Sequence, residues 1–236
     1  MRIMTFNIQH ALDYRRGVID TERFARAIAD WGADVCGLNE VRGAGALEGY
    51  TDQTNAIADV LGYDRRFGEA IRVGGCGPYG NALVSRYPIL EAETVLVPDP
   101  VHREGGHYET RCVLKTVLDT DEGKICVFVC HMGLEPEERE SAVATLCRLI
   151  DETEMPLILM GDFNAQPDAT ELAPLRARLQ DTDDFSDAPG APTYASYDPH
   201  MKIDYIFYRG LRCTGARTMS EVVSDHFPIM AQFERL

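Results

Sequence analysis

The chain has 236 residues, 45% of them hydrophobic and 26% charged, which fits one large folded domain and excludes a disordered or fibrous chain. Acidic residues number 38 against 23 Lys and Arg, a net charge of −15. That balance argues against a DNA binder with a broad basic face and against a polybasic membrane binder. Phosphate chemistry stays open, because a bound cation reverses the local field.

In chain order, an apolar run predicts a strand at 2–8. Phe24, Ala27, Ile28 and Trp31 follow at helical spacing, with Gly32 as the stop. A strand at 34–41 and a short helix at 55–61 come next. The glycine-rich stretch 73–80 reads as a flexible loop before a strand at 82–87. With 98–108, a second loop holding His102 and His107, it is expected to shape specificity. Strands follow at 112–119 and 124–130. Val143, Leu146, Cys147 and Ile150 mark a helix within 136–153, opened by the acidic run 135–140. A strand at 157–160, a helix at 170–179 and strands at 203–208 and 227–233 complete the chain. No linker or repeat divides it, so one domain, 1–236, is expected. The alternation predicts an α/β layered sandwich of mixed sheets with helices outside.

No secretory signal is visible, and the longest apolar runs, such as 156–160, are too short to span a bilayer, so stable membrane insertion is not expected. Seven cysteines, an odd number without zinc spacing, read as buried thiols in a reducing compartment. A cytoplasmic protein with no evident protein partner is the resulting expectation.

Apolar strands repeatedly end in a carboxylate, an amide or an imidazole: Asn7, Glu40, His131, Asp162 with Asn164, Asp204, and Asp225 with His226. A buried strand end is a costly place for a charge unless it is paired or binds a metal. Six such sites look like one converging site. Glu40, Asp225 and the Asn7 carbonyl are hard oxygen donors, suited to Mg²⁺ or Mn²⁺ rather than zinc. His226 is a candidate base or phosphate contact, with Asp204 as its orienting carboxylate. Asp162 and Asn164 are candidates to activate a water and to donate to an oxyanion, and His131 to donate to a phosphate oxygen.

The stretches TFNI (5–8), GLNEV (37–41), GNALVSRYPI (80–89), VFVCHMG (127–133), MGDFNAQP (160–167), KIDYIFY (202–208) and SDHFPI (224–229) resemble the endonuclease/exonuclease/phosphatase superfamily, in its order and over nearly the whole chain. The resemblance, nearest to the small bacterial and sphingomyelinase-like branch, implies a four-layer sandwich of two mixed β-sheets flanked by helices. It implies metal binding by Glu40, Asn7 and Asp225, and catalytic roles for Asp162, Asn164, Asp204, His226 and His131. It also suggests Arg111 and Asn81 as substrate-phosphate contacts. Asn39 stands where many members have glutamine. The expected activity is metal-dependent hydrolysis of a phosphate ester, a phosphodiester by preference, on a small molecule or a nucleic acid. A phosphatase or phospholipase-C-like enzyme on a lipid, sugar or inositol phosphate is the alternative within the enzyme class, and a non-catalytic binding protein the alternative outside it.

Bland readings stand beside these. Asn7 can merely steady Glu40. Asn81 after Gly80 can be turn chemistry. Arg111 can be an ion-pair partner of Glu109. The basic clusters Arg15-Arg16, Arg65-Arg66, Arg176/Arg178 and Arg209/Arg212 are short, and no aromatic-rich insertion or exposed apolar hairpin is evident.

Overall fold

Local signals start and stop the helices. The Asp20 side chain accepts the Arg23 N–H ahead of α1 (Thr21–Trp31), and Gly32 ends it at φ +74°. The structure is a computed structural model describing residues 1–47, 50–101, 103, 105–121 and 123–236. Before α1 lie β1 (Arg2–Asn7) and a small hairpin of β2 (Leu12–Asp13) and β3 (Val18–Ile19). After it come β4 (Val35–Arg42), α2 (Gln53–Leu61), β5 (Asp64–Val73), β6 (Gly77–Ser85), β7 (Ile89–Leu96), β8 (Cys112–Thr120) and β9 (Gly123–His131). Then follow α3 (Pro136–Asp151), β10 (Leu157–Asp162), α4 (Ala173–Arg176), β11 (Gln180–Asp181), β12 (Asp204–Arg209), β13 (Arg212–Thr218) and β14 (Ile229–Glu234).

Among the described residues the strands form two six-stranded mixed sheets, ordered β13-β14-β1-β4-β6-β5 and β11-β12-β10-β9-β8-β7. Successive side chains on a strand point to opposite faces, so each central strand feeds two cores. Ile3, Leu83, Val129, Ile158 and Met160 pack between the sheets. Met4, Phe6 and Leu38 pack against Phe24 and Ile28 of α1 and Ile57 of α2. Phe128 and Leu159 pack against Leu146 and Ile150 of α3. Helices, sheet, sheet and helices thus form the four layers expected. Burial on both faces explains why these strands read as continuous apolar runs.

Strand direction creates the site. β1 runs parallel to β4, and β9 parallel to β10, so all four end at one edge of the sandwich. β12 and β14 run antiparallel to β10 and β1, so they start at that edge.

Six strands were not expected: the two-residue β2, β3 and β11, and the longer β5, β7 and β13. The stretch 73–80 is not one loop but the tip of the β5–β6 hairpin, with only residues 74–76 in the turn. The helix expected at 170–179 is shorter: a 3-10 turn at Thr170–Leu172 and one turn of α4. All seven cysteines are free, and Cys76 and Cys147 are only partly buried. Among the described residues no helix is long and apolar enough to cross a membrane.

Candidate active site

Register places three of the expected residues side by side. His131 on β9 is opposite Asp162 on β10, and Asp162 is opposite Asp204 on β12. His226, just ahead of β14, reaches into this row. Its Nδ1 lies 2.9 Å from Asp204 Oδ2 and its Nε2 3.6 Å from Asp162 Oδ2. His131 Nε2 approaches the same Asp162 oxygen at 3.5 Å. All four side chains are almost fully buried. A buried carboxylate therefore sits between two imidazoles, one of them held by a second carboxylate.

The electrostatics follow from burial and these neighbours. Burial works against a charged His226 ring, but Asp204 and Asp162 outweigh it and hold the imidazolium well above its ordinary range. Burial pushes the Asp162 carboxyl up, although the His226 charge pulls the other way. Burial and then the Arg111 and His226 charges push His131 well down. Asp162, Asp204 and His226 offer atoms within 4.8 Å of one another, close enough to hold an ion. His226 Nδ1 and Asp204 Oδ2 are spent on each other, however, which leaves the imidazole Nε2 for the cleft.

The other sheet supplies Glu40. One extra residue between Leu38 and Val41 makes a β-bulge against β6, and Glu40 sits in it at φ +58°. The bulge turns Glu40 into the cleft while Asn39 stays fully buried. The Asn7 amide donates to Glu40 Oε1 and Asp162 Oδ2, each at 3.0 Å, and its oxygen accepts the Gln9 N–H. Tyr79 donates its hydroxyl to Glu40 Oε2 at 2.9 Å. Asp225 accepts from the Ser224 hydroxyl at 3.0 Å. Burial raises its carboxyl, His226 opposes this and Glu40 adds to it.

Asn164, also at positive φ (+48°), donates its amide to the Met132 carbonyl at 2.9 Å and lies 3.2 Å from His131 Nε2. Glu40, Arg111, His131, Asp162, Asn164, Asp225 and His226 line one cleft of about 390 Å³. Arg111 pairs with Glu109 at 2.9 Å and reaches His131 Nδ1 at 3.3 Å. Asn81 lies behind this cleft: its amide donates to the Cys112 carbonyl and its oxygen accepts from Asn39. His107 lines the cleft, whereas His102 lies outside the described residues.

Sequence reasoning noted Asn39 only as a departure from the usual glutamine and passed over Tyr79 and Tyr194. Asn39 donates to Asn81 and to the Cys130 carbonyl, both at 2.8 Å, and accepts the Asp162 N–H at 3.0 Å, so it ties the sheets together under the site. Tyr79 was hidden in a stretch read as loop. Tyr194 packs its ring on His226, centroids 4.8 Å apart.

A profile of the Endonuclease/Exonuclease/phosphatase family matches residues 4–226. YbhP of Escherichia coli strain K12 is 27% identical over 252 residues, spanning 98% of this chain and 95% of that protein. A mannosyl-6-phosphatase of Bacteroides thetaiotaomicron superposes with a TM-score of 0.80 at 17% identity, over 99% of each chain. The catalytic domain of human Nocturnin with bound sulfate superposes at 0.72 and 19% identity, over 100% of this chain and 93% of that one. At these identities the two superpositions establish likeness of fold.

Proposed function

The chain belongs to the endonuclease/exonuclease/phosphatase family, and on that premise we propose that it is a divalent-metal-dependent hydrolase of phosphate esters, acting on phosphodiesters by in-line attack of an activated water. The observation that carries this reading is Asp162 held between His131 and His226, with Asp204 behind His226 and Glu40 beside Asn7.

The donor set fits a hard cation. Glu40 and Asp225 are oxygen donors near enough that the Glu40 charge adds to burial in raising the Asp225 carboxyl, and a bound cation would relieve that repulsion. Glu40 and Asp225 would hold Mg²⁺ or Mn²⁺, with Asn7 steadying Glu40 through its N–H as placed here. When bound, the ion supplies charge stabilisation at a phosphoryl oxygen.

The protein groups divide the remaining work. Asp162 orients the attacking water and takes its proton. Asn164 and His131 donate to non-bridging phosphate oxygens as negative charge builds. Asp204 fixes the His226 ring and favours its charged form, so Nε2–H faces the phosphate. Arg111 acts on the phosphate chiefly through His131, and Asn81 supports Asn39 from behind. Burial strengthens each of these contacts.

The deciding experiment is a substrate panel of supercoiled DNA, RNA, bis-p-nitrophenyl phosphate, sphingomyelin and sugar and inositol phosphates, assayed with Mg²⁺, with Mn²⁺ and with EDTA. EDTA-sensitive cleavage of a diester is the expected result. Cleavage of monoesters alone would move the reading to a phosphatase, and no turnover of any ester would leave a binding protein on this fold.

A further inference from the structure

Outside the buried site, two tyrosines from distant parts of the chain form a parallel stack. The rings of Tyr14 and Tyr197 lie 4.9 Å apart between centroids, with planes 2° from parallel. Both remain open to solvent: Tyr197 is 61% exposed and Tyr14 37%. Exposed tyrosines that only cover each other need no fixed relation to a site. These two have one, because both are pinned to the segment bearing Asp225 and His226. The Tyr14 N–H donates to the Val223 carbonyl at 3.0 Å. Next to Tyr197, Ser196 donates its N–H to the Asp225 carbonyl and its hydroxyl to the Ser224 carbonyl, both at 2.6 Å. Tyr194, three residues before Tyr197, lines the cleft with its ring on His226.

We propose that the Tyr14–Tyr197 stack is a substrate platform, on which the ring next to the scissile phosphate, a nucleobase or a pyranose, lies flat. The proposal rests on the phosphoesterase reading and names the substrate class of that site. Charge supports it. The net charge is −15, and among the described residues Arg111, engaged by Glu109 and His131, is the one Lys or Arg lining the cleft, which offers little grip on a string of phosphates. An aromatic face binds a ring without needing charge, and each stacked base contributes enough that losing the face costs about 5- to 100-fold in affinity. Tyrosine suits the role because two χ angles leave little freedom to lose.

The test is equilibrium binding, in Mg²⁺, of a nucleoside monophosphate, a hexose 6-phosphate and glycerol phosphate to the native chain and to Tyr197→Ala, Tyr14→Ala and Tyr197→Phe. The Ala variants are expected to weaken a ring-bearing probe about 5- to 100-fold and glycerol phosphate by less than about twofold, with Tyr197→Phe near native. Loss confined to the nucleotide identifies a base, and loss confined to the hexose phosphate a sugar. Equal loss for glycerol phosphate, unchanged binding throughout, or no native binding of either ring-bearing probe overturns the platform. Tyrosine-dependent binding without turnover of any ester would overturn the hydrolase reading and leave the platform standing.

Discussion

Arg111 Nη1 lies 3.3 Å from His131 Nδ1. A guanidinium only donates, so Nδ1 accepts from it and the ring proton sits on Nε2, facing the Asp162 carboxylate at 3.5 Å, while the Asn164 amide nitrogen, 3.2 Å from the same Nε2, spends its N–H on the Met132 carbonyl. Arginine thus chooses the tautomer that can donate to a phosphate. Ring nitrogen NMR of the metal-free protein should show neutral, Nε2-protonated His131 at pH values where an ordinary histidine is charged, because burial and then Arg111 hold it down. Arg111→Met should move the titration upward, mix the tautomers and lower kcat about 10-fold or more. A native ring protonated on Nδ1 would refute the assignment.

Asp162 and His226 carry the proposed proton and charge work. Replacing either by Ala should lower kcat about 100-fold or more at unchanged fold, on the scale of lost acid–base or oxyanion help. Asp204→Asn keeps the shape but removes the anion behind His226, and a loss of similar size is expected. Steady-state turnover with circular dichroism as the folding control decides the matter, and near-native kcat in all three would reject the roles.

Glu40 and Asp225 repel each other in the metal-free protein. Glu40→Gln should therefore melt at or above the native temperature in EDTA, yet lose the rise in melting temperature that Mg²⁺ gives the native chain through linkage. Thermal melts with and without Mg²⁺ separate the two effects. A variant that keeps the Mg²⁺-dependent rise shows that the ion is held elsewhere.

Asn39 makes three hydrogen bonds, two of them to strands of the opposite sheet and one to Asn81 on the neighbouring strand of its own, and its removal leaves buried partners unpaired. Asn39→Ala should cost about 3 kcal/mol, or about 6–12 °C in Tm, together with activity. Asn39→Gln restores the amide but adds a methylene at a fully buried position, and should cost about 1–3 kcal/mol by overpacking. Urea denaturation measures both, and costs under about 0.5 kcal/mol would show that the amide is dispensable.

Glu138 is nearly fully buried in the first turn of α3. It accepts the Glu135 N–H in a capping box and, with its other oxygen, the Glu109 N–H at 2.9 Å. Glu138→Ala should cost about 2 kcal/mol by loss of the cap and of the Glu109 partner. It should also raise KM more than it lowers kcat, because Glu109 lines the cleft and holds Arg111. An unchanged KM would show that this tether does not shape substrate binding.

How much of this was legible depended on burial. Strands buried on both faces, such as β9 and β10, announce themselves as apolar runs, and the polar residue that ends each one stands out. The strands that escaped notice are half-exposed. β7 is open along most of its length and β5 carries Arg65, Arg66, Glu69 and Arg72, so neither shows an apolar run. Gly80 looked like loop chemistry, but a Cβ there would meet the Gly68 carbonyl oxygen at 2.0 Å, so glycine marks close strand approach at the β5 bulge. Motifs singled out Glu40 and Asp162. Asn7, which bonds both, was legible too, whereas the contacts of Asn39, Tyr79 and Asn81 came only with the fold, because these residues meet their partners across strands.

The bulge and the row of strand ends lie on different sheets, so the distance from Glu40 to the Asp162 row is set by how far apart the sheets stand. That spacing is maintained by aliphatic side chains that touch no substrate. A methyl added at Gly37 would come 2.7 Å from the Met160 methyl and 3.0 Å from Val129, and would wedge the sheets at that point. Alignment of the proposed catalytic groups thus depends on the oiliest layer of the molecule, and variants that impair the proposed chemistry without unfolding the chain should be sought there as well as around the cleft.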